Sequence, residues 1–191
     1  MTTSPLQTAR LDLEPVSPAH ADEMVVLLAD RALYAFYDDE ASPTRDELRA
    51  RYARWAGGAS PDGRETWCTW ILRERSTGSC TGFVQATVHL EERTAELAWV
   101  VGTAYQGRGL AREAAAAVRD AVLAGAHATD AAPAAHVVAH IAPGNAASEA
   151  VAHAIGLHAT DGLDPDGERV WRLPAAPFPR DLGRLRPSRR R

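Results

Sequence analysis

Lysine is absent from this chain: all 21 basic residues are arginine. The accompanying abundance of alanine marks a compositional bias, and no function is drawn from it. Cysteine is nearly absent too, with only Cys68 and Cys80, which excludes a disulfide framework. The two fall on neighbouring expected strands without opposing each other, so both are read as reduced packing thiols. No segment approaches the ~18 consecutive apolar residues of a membrane helix, and the opening residues lack the basic-then-apolar pattern of a secretion signal. A cytoplasmic protein with no membrane partner is expected. Metal-ligand clusters are missing as well. His136 and His140 are four apart on an expected strand, where the usual rise separates them by ~13 Å, too far to share an ion, so no metal is expected.

What remains is a chain of 191 residues, long enough for one domain with a sizeable core. The charge is unevenly placed. Six arginines and one aspartate between Arg180 and Arg191 give the tail a net +5 against −4 for the whole chain, which leaves the body at −9. An acidic body suits a cationic substrate better than a nucleic acid. The expected organisation is one domain over residues 1–175 and a basic, disordered tail over 176–191.

Residues Arg10 to Val16 alternate as a strand, and Ser17-Pro18 opens a helix expected to reach about Leu33. Thr44-Arg-Asp-Glu47 is a capping box that starts a second helix, which Gly57-Gly58 ends after Trp55. Trp67 to Glu74, Thr81 to Leu90 and Thr94 to Val101 form an antiparallel meander. A helix from Leu110 to Leu123 and a buried strand from His136 to Ala142 imply a right-handed parallel crossover. Asn145 caps a short helix from Ala146 to Ile155. Leu157 to Thr160 and Glu168 to Leu173 close the domain as a hairpin around Asp164-Pro-Asp-Gly167.

The junction Trp99 to Val118 runs from an apolar strand through Gly107 and Gly109 into a strong helix, an arrangement suited to an anion. The dinucleotide motif G-x-G-x-x-G fails because Arg112 stands at its third glycine. The P-loop motif fails because Arg108 and Gly109 stand where its lysine and hydroxyl belong. Gln106-Gly107-Arg108-Gly109-Leu110-Ala111 instead resembles the [RQ]-x-x-G-x-[GA] pyrophosphate loop of GNAT acyltransferases. The opening Arg10-Leu-Asp-Leu-Glu-Pro is similar to the branch containing ribosomal-protein N-terminal acetyltransferases, as is Asn145-Ala-Ala-Ser148 followed by Gly156-Leu157.

This resemblance covers roughly Arg10 to Leu173 and implies an α/β (α+β) GNAT fold: a mixed, mostly antiparallel seven-stranded sheet, split between its fourth and fifth strands and flanked by about four helices. It implies acetyl-CoA as co-substrate, its pantetheine arm filling the split beside Trp99, Val100 and Val101. Its diphosphate would lie on Gln106, Gly107, Arg108, Gly109, Leu110, Ala111 and Arg112, with Asn145 across the gap. It further implies direct attack of an amine on the thioester in a ternary complex. Glu96 is the expected proton acceptor, the N–H of Val100 or Val101 the oxyanion donor. The tyrosine that many such enzymes use as general acid is replaced by Ala152, which moves that role to Ser148. Trp55, Trp67, Trp70, Tyr34, Phe36 and Tyr37 are candidates for an acceptor pocket, with Tyr34 to Glu40 the candidate substrate loop. The acceptor is a small cationic amine or a protein N-terminus. The alternative is a non-catalytic acyl-CoA-binding module, and a homodimer is open because many of the resembling proteins are dimers.

Overall fold

A computed structural model describes residues 2–36 and 42–174. Tyr37, the acidic run Asp38 to Glu40 and the arginine-rich tail therefore lie outside the described residues. Eight strands form one sheet in the order β1-β2-β3-β4-β5-β6-β8-β7. The expected seven are joined by β1 (Leu6–Gln7), a two-residue edge strand antiparallel to β2 (Leu11–Pro15). Its turn closes through the Thr8 N–H, which donates to Leu11 O at 2.9 Å. So short a strand carries no periodicity of its own.

The helix expected from Ser17 to Leu33 is broken into three. A 3₁₀ turn over Pro18–His20 leads into α1 (Ala21–Leu28), and a second 3₁₀ turn covers Arg31–Tyr34. Two local bonds stop α1: the Tyr34 hydroxyl donates to Leu28 O at 2.8 Å, and Asp30 Oδ1 accepts from the Ala32 N–H at 2.9 Å, capping a new turn. In α2 (Arg45–Ala56) the capping box forms as expected. Glu47 N donates to Thr44 Oγ1 at 3.3 Å while Thr44 N donates to Glu47 Oε2 at 2.8 Å.

The meander comprises β3 (Glu65–Glu74), β4 (Cys80–His89) and β5 (Thr94–Val101). Cys68 pairs in register with Ala86 and Cys80 with Arg73, so the two thiols never meet; both are free and buried. Helix α3 (Leu110–Ala124) then carries the chain to β6 (His136–Ile141), parallel to β5. After α4 (Ala146–Ala154), the hairpin β7 (His158–Leu163) and β8 (Arg169–Arg172) docks β8 antiparallel onto β6.

The core lies on both faces of the sheet. Leu110, Ala114, Val118 and Val122 recur along one stripe of α3 and pack with Trp70, Leu97 and Ile155 on one face. Met24 and Leu28 of α1 and Leu48 and Tyr52 of α2 pack with Ile71 on the other. Each such large apolar side chain contributes about 1.5–3 kcal/mol by leaving water. Leu97 of β5 and Val137, Ala139 and Ile141 of β6 belong to the first cluster, while Val100 of β5 packs against the second.

Candidate active site

Strands β5 and β6 are paired only at Thr94–His136, Ala95–Val137 and Glu96–Val138. Beyond Glu96 they part. The Gly102 N–H donates to Thr81 O at 2.9 Å, and β4 and β5 stay in unbroken register from Gly82–Val101 to His89–Thr94. Alternation along an antiparallel ladder then turns the N–H of Val100 towards β4 and those of Trp99 and Val101 towards the gap. Of the two oxyanion donors expected from sequence, only Val101 is free to serve, and Trp99 joins it. Gly82 permits this close approach: a Cβ there would stand 2.0 Å from Val100 O.

At the mouth of the gap the chain turns through Gly107 (φ +73°) and Gly109 (φ +75°), left-handed torsions that favour glycine. Gln106 braces the turn, its Nε2 donating to Val101 O at 3.0 Å. Among the described residues, none of the backbone N–H groups of residues 107–112 meets an acceptor; the next, Glu113 N, bonds Gly109 O. Six consecutive free donors at the positive end of a 15-residue helix form an anion cradle. Leu110 serves through its backbone alone, since its side chain is buried in the core.

The arginines divide. Arg108, expected to face phosphate, turns its guanidinium onto the buried carboxylate of Glu74, and this hydrogen-bonded pairing holds Glu74 below the usual carboxylate range. Its backbone N–H stays in the cradle. The guanidinium groups of Arg112 and Arg10 both come within 3.7 Å of where a Gly109 Cβ would stand. Arg10 was not among the expected site residues. Its Nη1 donates to Arg108 O at 2.8 Å and its Nε to Glu113 Oε2 at 2.6 Å, while its own N–H donates to Glu113 Oε1 at 2.8 Å. These bonds tie the start of β2 to the outside of the loop.

Between the parted strands lies a cleft of about 230 Å³, walled by Leu97 to Val100 of β5 on one side and His140 to Ala142 on the other. Trp99, Val100, Phe36, Trp55 and Phe83 supply apolar walls, with the rings of Trp55 and Phe83 6.1 Å apart. Asn145, Ser148, His140 and Glu168 supply its polar groups. Asn145 caps α4, its Oδ1 accepting from the Ser148 N–H at 3.1 Å, and the Ser148 hydroxyl makes no hydrogen bond within the described residues. Ala152 is buried in the core, on the α4 stripe that continues from Asn145 and Ser148. Of the expected aromatics, Phe36 and Trp55 line the cleft. Trp70 is fully buried, the Tyr34 hydroxyl is spent on Leu28 O, and Trp67 donates to Glu65 Oε2 at 2.8 Å.

Glu96 does not line the cleft. It shares a sheet face with Ala98 and Val100 but sits further back, its Oε2 3.6 Å from His89 Nε2 while His89 Nδ1 lies 3.3 Å from Glu65 Oε1. The carboxylate that does line it is Glu168, delivered by the β7–β8 turn. Burial pushes the Glu168 carboxyl up, and the nearby Asp164 adds to the effect. Beside it, His140 Nδ1 lies 2.7 Å from Asp164 Oδ2, and this bond holds Asp164 below the usual carboxylate range. No signal local to any one of these three residues marked them as a cluster; only the pairing of β8 on β6 brings them together.

The profile of the acetyltransferase (GNAT) domain matches residues 10–158. Comparison with curated proteins finds no match. A candidate ribosomal-protein-serine acetyltransferase from Vibrio cholerae superposes with a TM-score of 0.72 at 19% identity, over 91% of this chain and 99% of that one. A GNAT-family acetyltransferase from Bacillus anthracis gives 0.67 at 17% identity, over 88% and 94%. A spermidine N-acetyltransferase from Vibrio cholerae, solved with CoA and spermine, gives 0.66 at 16%, over 86% and 94%. At these identities the solved structures speak for the fold. Among the described residues, no helix is long and apolar enough to cross a membrane.

Proposed function

The chain belongs to the GNAT acetyltransferase family, and from that premise we propose that it moves the acetyl group of acetyl-CoA directly onto the primary amine of a small organic cation. The observation that carries this reading is the parting of β5 from β6 after Glu96, with an anion cradle at one end of the gap and a cleft within it whose lining includes aromatic rings and Glu168. The chain's groups suit the donor: the free N–H groups of residues 107–112, with Arg10 and Arg112, fit a diphosphate, and the unpaired backbone of Trp99 and Val101 fits the amides of a pantetheine arm.

In this reading the N–H of Val101 or Trp99 polarises the thioester carbonyl and holds the developing oxyanion. The Ser148 hydroxyl delivers a proton to the departing sulfur, the role for which Ala152 has no group. Asn145 keeps Ser148 in place by capping its helix. Glu168 holds the ammonium of the acceptor, supported by the more distant charge of Glu96, while Trp55, Phe83 and Phe36 cover its apolar or cationic body. The size of the cleft, about 230 Å³, suits a compact amine better than a peptide.

The test is a panel of diamines, polyamines, aminoglycosides and N-terminal peptides, each mixed with the protein and acetyl-CoA while free thiol is followed. Thiol release with compact diamines or polyamines and none with peptides is expected. Release with peptides alone would replace the acceptor assignment. Ser148→Ala is expected to lower kcat with the Kd for CoA unchanged.

A further inference from the structure

Acetylating an amine requires a group that takes a proton from its ammonium form, since an alkylammonium with a pKa near ~10 is mostly protonated at neutral pH. We propose that His140, oriented by Asp164, is that proton acceptor; the proposal rests on the acetyl-transfer reading above. Three observations carry it. His140 lines the cleft together with Glu168 and Ser148. Its Nδ1 is engaged by Asp164 Oδ2 at 2.7 Å. Asp164 is itself locked, its side chain only 10% exposed and its Oδ1 accepting from the N–H groups of Asp166 at 2.9 Å and Glu168 at 2.8 Å.

An ionised carboxylate can only accept, so Nδ1 carries a ring proton, and in the neutral ring Nε2 presents a lone pair. Nε2 has no partner among the described residues. Asp164 is a positioning residue: it selects the tautomer and aims the ring, as a carboxylate behind an imidazole does in other acid-base sites. The groups around the ring are Asp164 and Glu168 from the β7–β8 turn and uncharged Asn145 and Ser148 from α4, with Asp166 and Glu96 near enough to Glu168 to act on its carboxyl. Arg169, on β8 opposite Ile141, spends its Nη1 on Thr160 O at 2.8 Å. The charged groups lining the cleft beside the ring are therefore acidic.

The step balances as follows. Nε2 takes one proton from the ammonium. The neutral nitrogen forms its bond to the thioester carbon, and the carbon–sulfur bond breaks with its electron pair leaving on sulfur. The second nitrogen proton ends on sulfur by way of Ser148, giving the free thiol. The proton on His140 returns to water through the open side of the cleft. This division of labour leaves Glu168 to bind charge and His140 to move protons.

The experiment compares kcat/KM against pH for the wild type, His140→Gln, Asp164→Asn and Glu168→Gln with the best amine of the panel, alongside calorimetric CoA binding. The wild type is expected to show an acidic limb, where the proton acceptor becomes protonated. His140→Gln should lose that limb and about 100-fold in kcat, within the span of general-base effects, while binding CoA normally. Asp164→Asn should keep the limb with kcat lowered roughly tenfold, a tautomer effect smaller than removal of the base. Nitrogen-15 spectra of the wild-type imidazole should show Nδ1 protonated, and this signature should vanish in Asp164→Asn. A limb retained in His140→Gln, a limb lost in Glu168→Gln alone, or an Nε2-protonated wild-type ring overturns the proposal. A wild type that binds CoA but acetylates no amine overturns the acetyl-transfer reading instead.

Discussion

On the donor side of the split sheet, residues 107–112 offer main-chain N–H groups, and the site exists because Gly107 and Gly109 can hold left-handed torsions. On the acceptor side, His140, Asp164 and Glu168 meet as side chains drawn from β6 and from a turn 24 residues later. The first half is encoded by backbone conformation within one short segment. The second is encoded by register: β8 must pair with β6 so that Val170 stands opposite His140 and the turn falls beside the gap. A backbone site tolerates change in the side chains around it but not in its glycines. A side-chain site tolerates conformational change nowhere along the pairing that assembles it.

The sharpest way to break this contrast is Gly109→Val. A β-branched residue at φ +75° is strained whatever space surrounds it, at a cost of about 1–3 kcal/mol, and relief of that strain would re-aim the free N–H groups. The expected outcome is a loss of CoA affinity of about 100-fold by calorimetry, with His140 still showing its nitrogen-15 signature. Normal CoA binding by Gly109→Val would mean that side chains, not main chain, hold the diphosphate. Next in size is Glu168→Gln, expected to raise KM for the amine about tenfold, about 1.4 kcal/mol, with the Kd for CoA unchanged. Its effect on stability runs the other way. The folded-state carboxyl of Glu168 is raised, so its ionisation opposes folding as pH rises through that value. Glu168→Gln removes the penalty, and Tm should be higher than wild type at pH 7 and equal to it at pH 4.

The same contrast explains what could be read before any coordinates. Thr44 and Glu47, three residues apart, specify their capping box alone, and β5 runs from Thr94 to Val101 as its alternation requires. The glycine loop is likewise local, which is why its residues stand where they were expected. Departures arose wherever a side-chain contact, near or distant, decides. Arg108 finds Glu74, 34 residues away, and turns its guanidinium onto that carboxylate. The expected first helix stops at Leu28 because the Tyr34 hydroxyl and Asp30 claim its end. Glu96 precedes the loop on its own strand and was legible there, whereas Glu168, the carboxylate that lines the cleft, comes from a hairpin far along the chain. Local composition could not separate Trp55, which lines the cleft, from Trp70, which fills the core.

Arg10 sharpens the comparison because it is a side chain serving the backbone half. Arg10→Ala removes the bond to Arg108 O and the guanidinium beside Gly109. CoA affinity should fall about three- to tenfold, within the range of a lost hydrogen bond to a charged group. S-acetylpantetheine, which lacks the diphosphate, should be used as well as by the wild type. Equal losses for both donors would place Arg10 in the frame of the fold and not at the anion site.

The smallest effect concerns the carboxylate that holds Arg10. Burial alone would raise Glu113, but hydrogen bonds from Thr8 at 2.6 Å and from the Arg10 main chain and guanidinium outweigh it and leave the carboxyl lowered from the ordinary 4.5. A carboxyl lowered on folding adds stability above its unfolded value and gives it up as pH falls through the folded one. Wild-type Tm should therefore drop between pH 5 and pH 3 by more than that of Glu113→Gln, in scanning calorimetry with CoA absent. Gln keeps an oxygen to accept from Thr8 but bears no charge, so it has nothing to lose to protonation. If the two proteins lose stability in parallel, the tie between β2 and the loop rests on geometry and not on the Glu113 charge. Glu113→Gln would then leave the Kd for CoA at its wild-type value while Arg10→Ala still raised it.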